Sequence, residues 1–184
     1  RKQQHPAVIV DTTGEFAAKY YRPEKDILLN PFDHRSKSWT PWVECQNAFD
    51  YDSIAESFIP ALAGDGDHHY WRNAARDVFS SILNLLKDDQ DLHQLKHLLI
   101  EASLSTLCAA VEDTPAAAHL DIKSEKTSHS VRSMAMTFLA CFKHLPPTTD
   151  AFSIRNWVQN RDDDSWLFLS ATPPQRASIA PLLS

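Results

Sequence analysis

The side chains best suited to chemistry in this chain fall into a few separate groups. Asp11, Gly14 and Glu15 follow directly on the apolar run Ala7-Val8-Ile9-Val10. Acids just past the carboxyl end of a buried strand lie where open α/β sheets take their ligands. The same residues also suit a plain turn, in which the backbone needs Gly14 and Glu15 caps the next helix. A second group is cationic. Arg72, Arg76 and Ser80 share one face of a helical pattern, and Lys123, Lys126, His129 and Arg132 cluster at the start of another. If those faces adjoin, they form a basic mouth for single-stranded DNA or another partner, and otherwise they are a solvated surface. His93 and His97 have the i, i+4 spacing of a helical metal pair, but no Glu stands at 94 and no third ligand accompanies them. They read as surface histidines, and Asp162, Asp163 and Asp164 as a solvated loop; no metal site is expected.

Several activities are excluded by composition. The 184 residues hold three glycines, Gly14, Gly64 and Gly66, so neither G-x-x-x-x-G-K-[ST] nor G-x-G-x-x-G can be written anywhere in them. No Ser-His-Asp or Cys-His order carries a motif, so no catalytic residue is assigned and no cofactor is expected within these residues. The net charge of −6 is unevenly distributed. Residues 1–41 hold 7 basic and 5 acidic side chains, 42–122 hold 4 and 14, and 123–184 hold 7 and 5. Phosphate neutralisation dominates nucleic-acid affinity, so the acidic middle suits a basic protein better than broad DNA binding. Cys45, Cys108 and Cys141 are odd in number and widely spaced, as reduced cytosolic thiols would be. No apolar run approaches the roughly 20 residues of a membrane span, and a soluble chain is expected.

These groups must be positioned by elements of two kinds. Ala7–Val10 and Asp26–Leu29 read as short buried strands, the second stopped by Asn30-Pro31, with a brief helix over Glu15–Tyr21 between them. From Trp42 the period becomes helical. Ile54, Phe58 and Leu62 fall four apart; Asp67 is placed to cap a long helix with Trp71, Ala75, Val78, Ile82 and Leu86 as its stripe. Asp91 and Gln94 open an amphipathic helix bearing Leu92, Leu95 and Leu99, and Leu104, Leu107, Cys108 and Val111 mark a short one. Ser124 is placed to cap the last long helix, with Val131, Met134, Phe138, Cys141 or Phe142, and Leu145 as its face. Leu92, Leu95, Leu98 and Leu99, or the Trp39 and Trp42 pair, serve either the core or a docked partner helix. Beyond Phe152–Val158, Trp166–Leu169 reads as a third strand, and Pro173-Pro174 opens a C-terminal helix. The fold class is therefore mainly α: an all-α bundle of five helices inserted into a partial α/β domain, with divisions at 1–41, 42–150 and 151–184.

The flanks carry a family resemblance. Val8-Ile9-Val10-Asp11-Thr12-Thr13-Gly14-Glu15-Phe16, then Asp26-Ile27-Leu28-Leu29-Asn30-Pro31-Phe32-Asp33 with Arg35 and Trp39, resemble the strand, D-x-x-G-E-F turn and I-L-N-P-x-D-x-R segment of conjugative type IV coupling proteins of the TraD/TrwB kind. Ile54-Ala55, Ile59-Pro60, Trp71, Phe152–Trp157, Trp166–Leu169 and Arg176–Leu182 continue it in order, thinly between 85 and 150. Thr12 stands where many relatives have proline. The resemblance implies a RecA-like motor interrupted by an all-alpha domain, hexameric on the cytoplasmic face of the bacterial inner membrane, with ATP and Mg bound by the parent protein outside these residues. It implies that Asp11, Gly14 and Glu15 border the nucleotide or a neighbouring subunit. It further implies that the helical domain receives relaxase, single-stranded DNA, accessory or secreted proteins, or else reports substrate occupancy to the motor. An unrelated helical adaptor remains the alternative if no parallel pairing joins 7–11 to 166–170.

Overall fold

A computed structural model describes residues 5–61, 68–160 and 164–183. The expected roles of Leu62, Asp67, Asp162 and Asp163 lie outside these. The chain divides into two units, one made of Arg1–Glu44 with His144–Ser184 and the other of Cys45–Lys143.

The first unit is built on a three-stranded parallel sheet. Its strands are β1 (Ala7–Asp11), β2 (Ile27–Leu29) and β3 (Trp166–Ser170), in the order β1-β3-β2. The last strand in sequence is thus the central one, with Ile9 and Leu28 both in register with Phe168. Burial follows from that position. Leu167 and Phe168 of β3 are fully buried, whereas β1, at the edge, alternates and leaves Val8 and Val10 exposed. Phe168, Leu28 and Ala17 of α1 (Glu15–Tyr20) form a small core against which Ile9, Tyr21 and Trp166 pack. The Tyr21 ring meets Phe168 edge-on at 5.8 Å between centroids.

Side chains fasten the outgoing and returning flanks of this unit together. The backbone N–H of Trp166 donates to Asp26 Oδ1 (3.0 Å), Lys25 pairs with Asp164, and Phe152 N–H donates to the Ser38 carbonyl (2.8 Å). Glu44, in a 3₁₀ turn (Pro41–Glu44), is nearly buried and accepts from four residues. Its Oε1 accepts from Trp39 Nε1 (2.9 Å) and Ile154 N–H (2.7 Å); its Oε2 accepts from Arg155 N–H (2.8 Å) and Ser153 Oγ (3.3 Å). One carboxylate therefore caps the start of α7 (Ile154–Gln159) from 110 residues away in sequence. Trp39 and Trp42 serve this unit's interior rather than a docked helix: Trp39 is bonded to Glu44, and Trp42 is 2% exposed. α8 (Pro173–Ile179) completes the unit, opened by its prolines as expected.

The second unit contains α2 (Ala48–Phe58), α3 (His68–Leu85), α4 (Leu92–Lys96) running into a π turn (His97–Glu101), α5 (Leu104–Ala110) and α6 (Glu125–Leu139). α3 is its axis, packed against both α2 and α6. Phe58, Phe79 and Phe142 form a ring cluster with centroids 5.0–6.0 Å apart. Ala75, Val78, Ile82 and Leu86 bury the predicted stripe, joined by Ala74, Phe79 and Leu83. Leu92, Leu95, Leu98 and Leu99 are all core, which rules them out as a free docking face.

Two expectations for α6 are corrected. Ser124 occupies the N-cap position but makes no capping bond. A 3₁₀ turn (Ile122–Ser124) runs straight into the helix, so Ser124 has ψ 47° instead of the extended backbone that aims a capping oxygen. The buried seam is Ser128, Val131, Ala135 and Leu139, while Met134 and Phe138 lie half-exposed beside it. Ser128 entered the seam unseen because a serine looks polar in a sequence. Its hydroxyl donates to the Asp121 carbonyl and accepts from the Asp121 N–H, both at 2.9 Å, which removes the cost of burying it.

Replacing Glu44 by alanine orphans the first N–H groups of α7 and should destabilise the chain by about 1–3 kcal/mol. Hydrogen exchange at Ile154 and Arg155 should accelerate more than exchange in α3; equal acceleration in both would show that the carboxylate has no local role.

Candidate functional site

At the strand end, Asp11 is 1% exposed and acts as the cap that Glu15 was expected to provide. Its Oδ1 accepts from Gly14 N–H (2.9 Å) and from Thr13 N–H and Oγ1 (3.2 and 3.1 Å), and its Oδ2 accepts from Ala17 N–H (2.8 Å). Burial by itself would raise this carboxyl, but the bonds from Ala17, Thr13 and Gly14 hold it below the ordinary carboxylate value. Gly14 has φ +80°, and a β-carbon there would stand 3.4 Å from Thr172 Cγ2. Glu15 is exposed on α1. The three residues are adjacent, but Asp11 is fully occupied by the turn, so Glu15 is the acid left facing outward. The Asp33 and Arg35 pair of the next segment is likewise structural. Arg35 donates through Nη2 (2.7 Å) and Nε (3.0 Å) to Asp33 while lying over the Tyr21 ring at 5.4 Å. These bonds draw the Asp33 pKa down to about 2.

The cationic residues of the helical unit do not form one mouth. Arg72 is 8% exposed, with its guanidinium 5.2 Å from the centre of the Phe138 ring, so it belongs to neither a basic mouth nor a solvated face. Arg76 donates from Nε to the Ile59 carbonyl at the end of α2 (2.7 Å) and from Nη1 to Asn73 (3.2 Å). Arg132 donates from Nη2 to the Ile100 carbonyl in the π turn (3.0 Å). All three guanidiniums hold helix ends or rings, where a long planar donor reaches what a shorter side chain cannot. Lys123, Lys126 and His129 remain exposed on or just before α6, with His129 3.5 Å from Glu125. Lys96 is half-buried and desolvation lowers its pKa. Of the four cations counted in 42–122, Arg72 is buried, Arg76 and Lys96 are half-buried, and Lys87 is exposed.

Beside the exposed cations runs a groove of about 620 Å³ lined by Trp71 of α3 and by Lys126, His129, Ser133, Met134 and Thr137 of α6. A smaller hollow of about 440 Å³ adjoins it, lined by His129, Arg132, Ser133 and Met136. Sequence periodicity assigned Trp71 to the core stripe. Its exposed edge depends on the rotation of α6 about its axis, which no pattern of residues announced. Among the described residues no group of three or more His, Cys, Asp or Glu is placed to hold a metal. His97 pairs with Glu101 (3.4 Å). Burial pushes the Cys141 thiol up to about 12, so it stays protonated. No helix of the described residues is long and apolar enough to cross a membrane.

Residues 1–184 match the family described as the type IV secretion-system coupling protein DNA-binding domain. Coupling protein TraD of Escherichia coli (strain K12) is 30% identical over 192 residues, across all of this chain and 26% of TraD. The solved bacterial conjugative coupling protein TrwB superposes with a TM-score of 0.83 and 27% identity, over 97% of this chain and 43% of TrwB. TrwB has been solved with the ATP analogue ADPNP and with ADP and Mg²⁺. The chain spans about a quarter of TraD and under half of the TrwB chain.

Two measurements test the roles assigned to these side chains. Because the folded pKa of Asp33 is depressed, its contribution is fully present above pH 3.8 and is lost as pH falls through about 2. A carboxyl-carbon NMR titration should therefore place Asp33 below the other exposed aspartates, and Arg35→Ala should return it towards 3.8. In urea denaturation, Arg132→Ala should cost about 1.5–3 kcal/mol, whereas Lys126→Ala should stay within about 0.5 kcal/mol of the parent. Equal costs would contradict the assignment of Arg132 to the π turn.

Proposed function

The chain belongs to the type IV secretion-system coupling protein DNA-binding domain family, and from that premise we propose that Cys45–Lys143 is the substrate-receiving unit of a coupling protein. It recruits relaxase joined to single-stranded DNA, together with accessory or secreted proteins, to the secretion channel. The observation that carries this reading is the surface of the helical unit. Arg72, Arg76 and Arg132 are turned to internal carbonyls and rings, leaving an acidic exterior that suits basic protein partners. An unrelated helical adaptor is set aside, because β1 and β3 pair in parallel and the family match spans the chain.

The three-stranded unit is then part of a RecA-like motor, interrupted by the helical domain, that works as a hexameric ATPase at the cytoplasmic face of the inner membrane. ATP and Mg belong to parts of the parent protein outside these residues. The exposed Val8, Val10 and Phe16 on the β1 side support this, since further motor elements would cover them. The strand end at Asp11, Gly14 and Glu15 would border the nucleotide or the next subunit, with Glu15 as the acid available to it. A regulatory role is favoured by Glu44, which immediately precedes the helical unit and bonds to the returning flank. Through it, substrate occupancy would bias the motor.

Calorimetric titration of the chain with its relaxase, and separately with single-stranded DNA at two salt concentrations, tests recruitment. Micromolar or tighter relaxase binding is expected. If neither ligand binds, yet removing residues 45–148 from the parent changes DNA-stimulated ATP hydrolysis, the regulatory role replaces the receiving one.

A further inference from the structure

We propose that the groove between Trp71 and α6 is a subsite for single-stranded DNA, in which one base stacks on the Trp71 indole while the adjacent phosphates lie against Lys126 and His129. This rests on the reading of the helical unit as substrate-receiving and assigns residues to the nucleic-acid part of that substrate.

Charge separates this groove from its surroundings. The unit is acidic overall, yet no Asp or Glu lines the groove, while Lys126 and His129 do, with Lys123 exposed just before the same helix. Lys126 makes no ion pair among the described residues, so its ammonium is available to a phosphate. Glu125 sits at the rim beside His129 at 3.5 Å and would oppose a phosphate there. The wall chemistry fits a base and sugar. Trp71 offers a partly exposed ring held by an edge contact with Tyr70 at 5.0 Å, and Met134 and Thr137 supply apolar surface. The Ser130 and Thr137 hydroxyls donate back to helix carbonyls (3.0 and 2.9 Å), so acceptor oxygens are what they turn outward. At about 620 Å³ the groove has the size of a small-ligand cleft. Stacking on one aromatic ring beside cations is how sequence-tolerant single-strand binding works, and it needs an unpaired base, so duplex DNA is excluded.

Fluorescence anisotropy with a labelled oligothymidylate of about 12 nucleotides tests the subsite on the whole chain at two salt concentrations. Trp71→Ala should weaken binding about tenfold at both salts, with Trp71→Phe recovering most of the loss. Lys126→Glu should weaken it mainly at low salt and reduce the log–log salt slope by about 0.7. Glu125→Gln should tighten it, and since Glu125 is exposed this variant keeps the test valid even if Trp71→Ala unfolds. Circular dichroism checks the fold of each variant. If the wild type binds relaxase but the variants bind oligonucleotide as the wild type does, the subsite is overturned and the receiving role stands. Loss with Lys126→Glu alone, without loss at Trp71→Ala or gain at Glu125→Gln, also overturns it. If the wild type binds neither relaxase nor oligonucleotide, both proposals fall.

Discussion

Everything in the first unit depends on β3 taking the central place between β1 and β2. A parallel strand cannot be reached by a hairpin, and here the connection from β2 to β3 includes the entire helical unit. The two edge strands therefore have no hydrogen-bonding partner in this sheet until residues more than 130 positions later arrive. Phe168 is the side chain on which that meeting turns, since it is opposite both Ile9 and Leu28 and beneath Tyr21. Three strands with a core this small would be marginal by themselves. The polar fastenings at Asp26, Asp164 and Glu44 bring the flanks together at points the strands do not reach.

Those fastenings share a chemistry. Asp11, Asp26 and Glu44 are carboxylates with little exposure, and each accepts backbone N–H donors from a turn, a strand or a helix start. A buried carboxylate is tolerable only when its oxygens are so filled. The acidity of the flanks is thereby partly structural, which is why Asp11, one of the two acids that looked available for nucleotide chemistry, is committed to the backbone. The helical unit shows the mirror image. Its guanidiniums are drawn inward to helix ends and rings, while most of its acids stay outside, Asp50 at the start of α2 excepted, and Asp77 pairs with the half-buried His119 (2.8 Å). The result is a mainly acidic surface that carries a short cationic lip on α6.

The strand and helix pattern was legible because each element carries its own period. Ala7–Val10, Ile27–Leu29 and Trp166–Leu169 are continuous apolar runs suited to burial, and the stripe of α3 repeats every three or four residues. The face of α6 was misread for a physical reason. Ser128 and Ala135 are small or polar, so the sequence favoured the larger Met134 and Phe138, yet close helix packing selects small residues and leaves bulky ones on the flank.

Sequence alone determined the class of the protein, since motifs, turn chemistry and apolar period are local properties, and they pointed to the coupling-protein family without a contact being known. It also set the charge balance and excluded a phosphate-binding loop within these residues. Tertiary structure alone decided which charges are available. Whether Arg72 faces solvent or Phe138, whether Glu44 is a surface acid or a cap for α7, and whether Trp71 lies in the core or lines a groove all depend on partners about 55 to 110 residues distant. Long-range pairing of polar groups is driven by the need to satisfy whatever becomes buried, and that need exists only once the chain has folded.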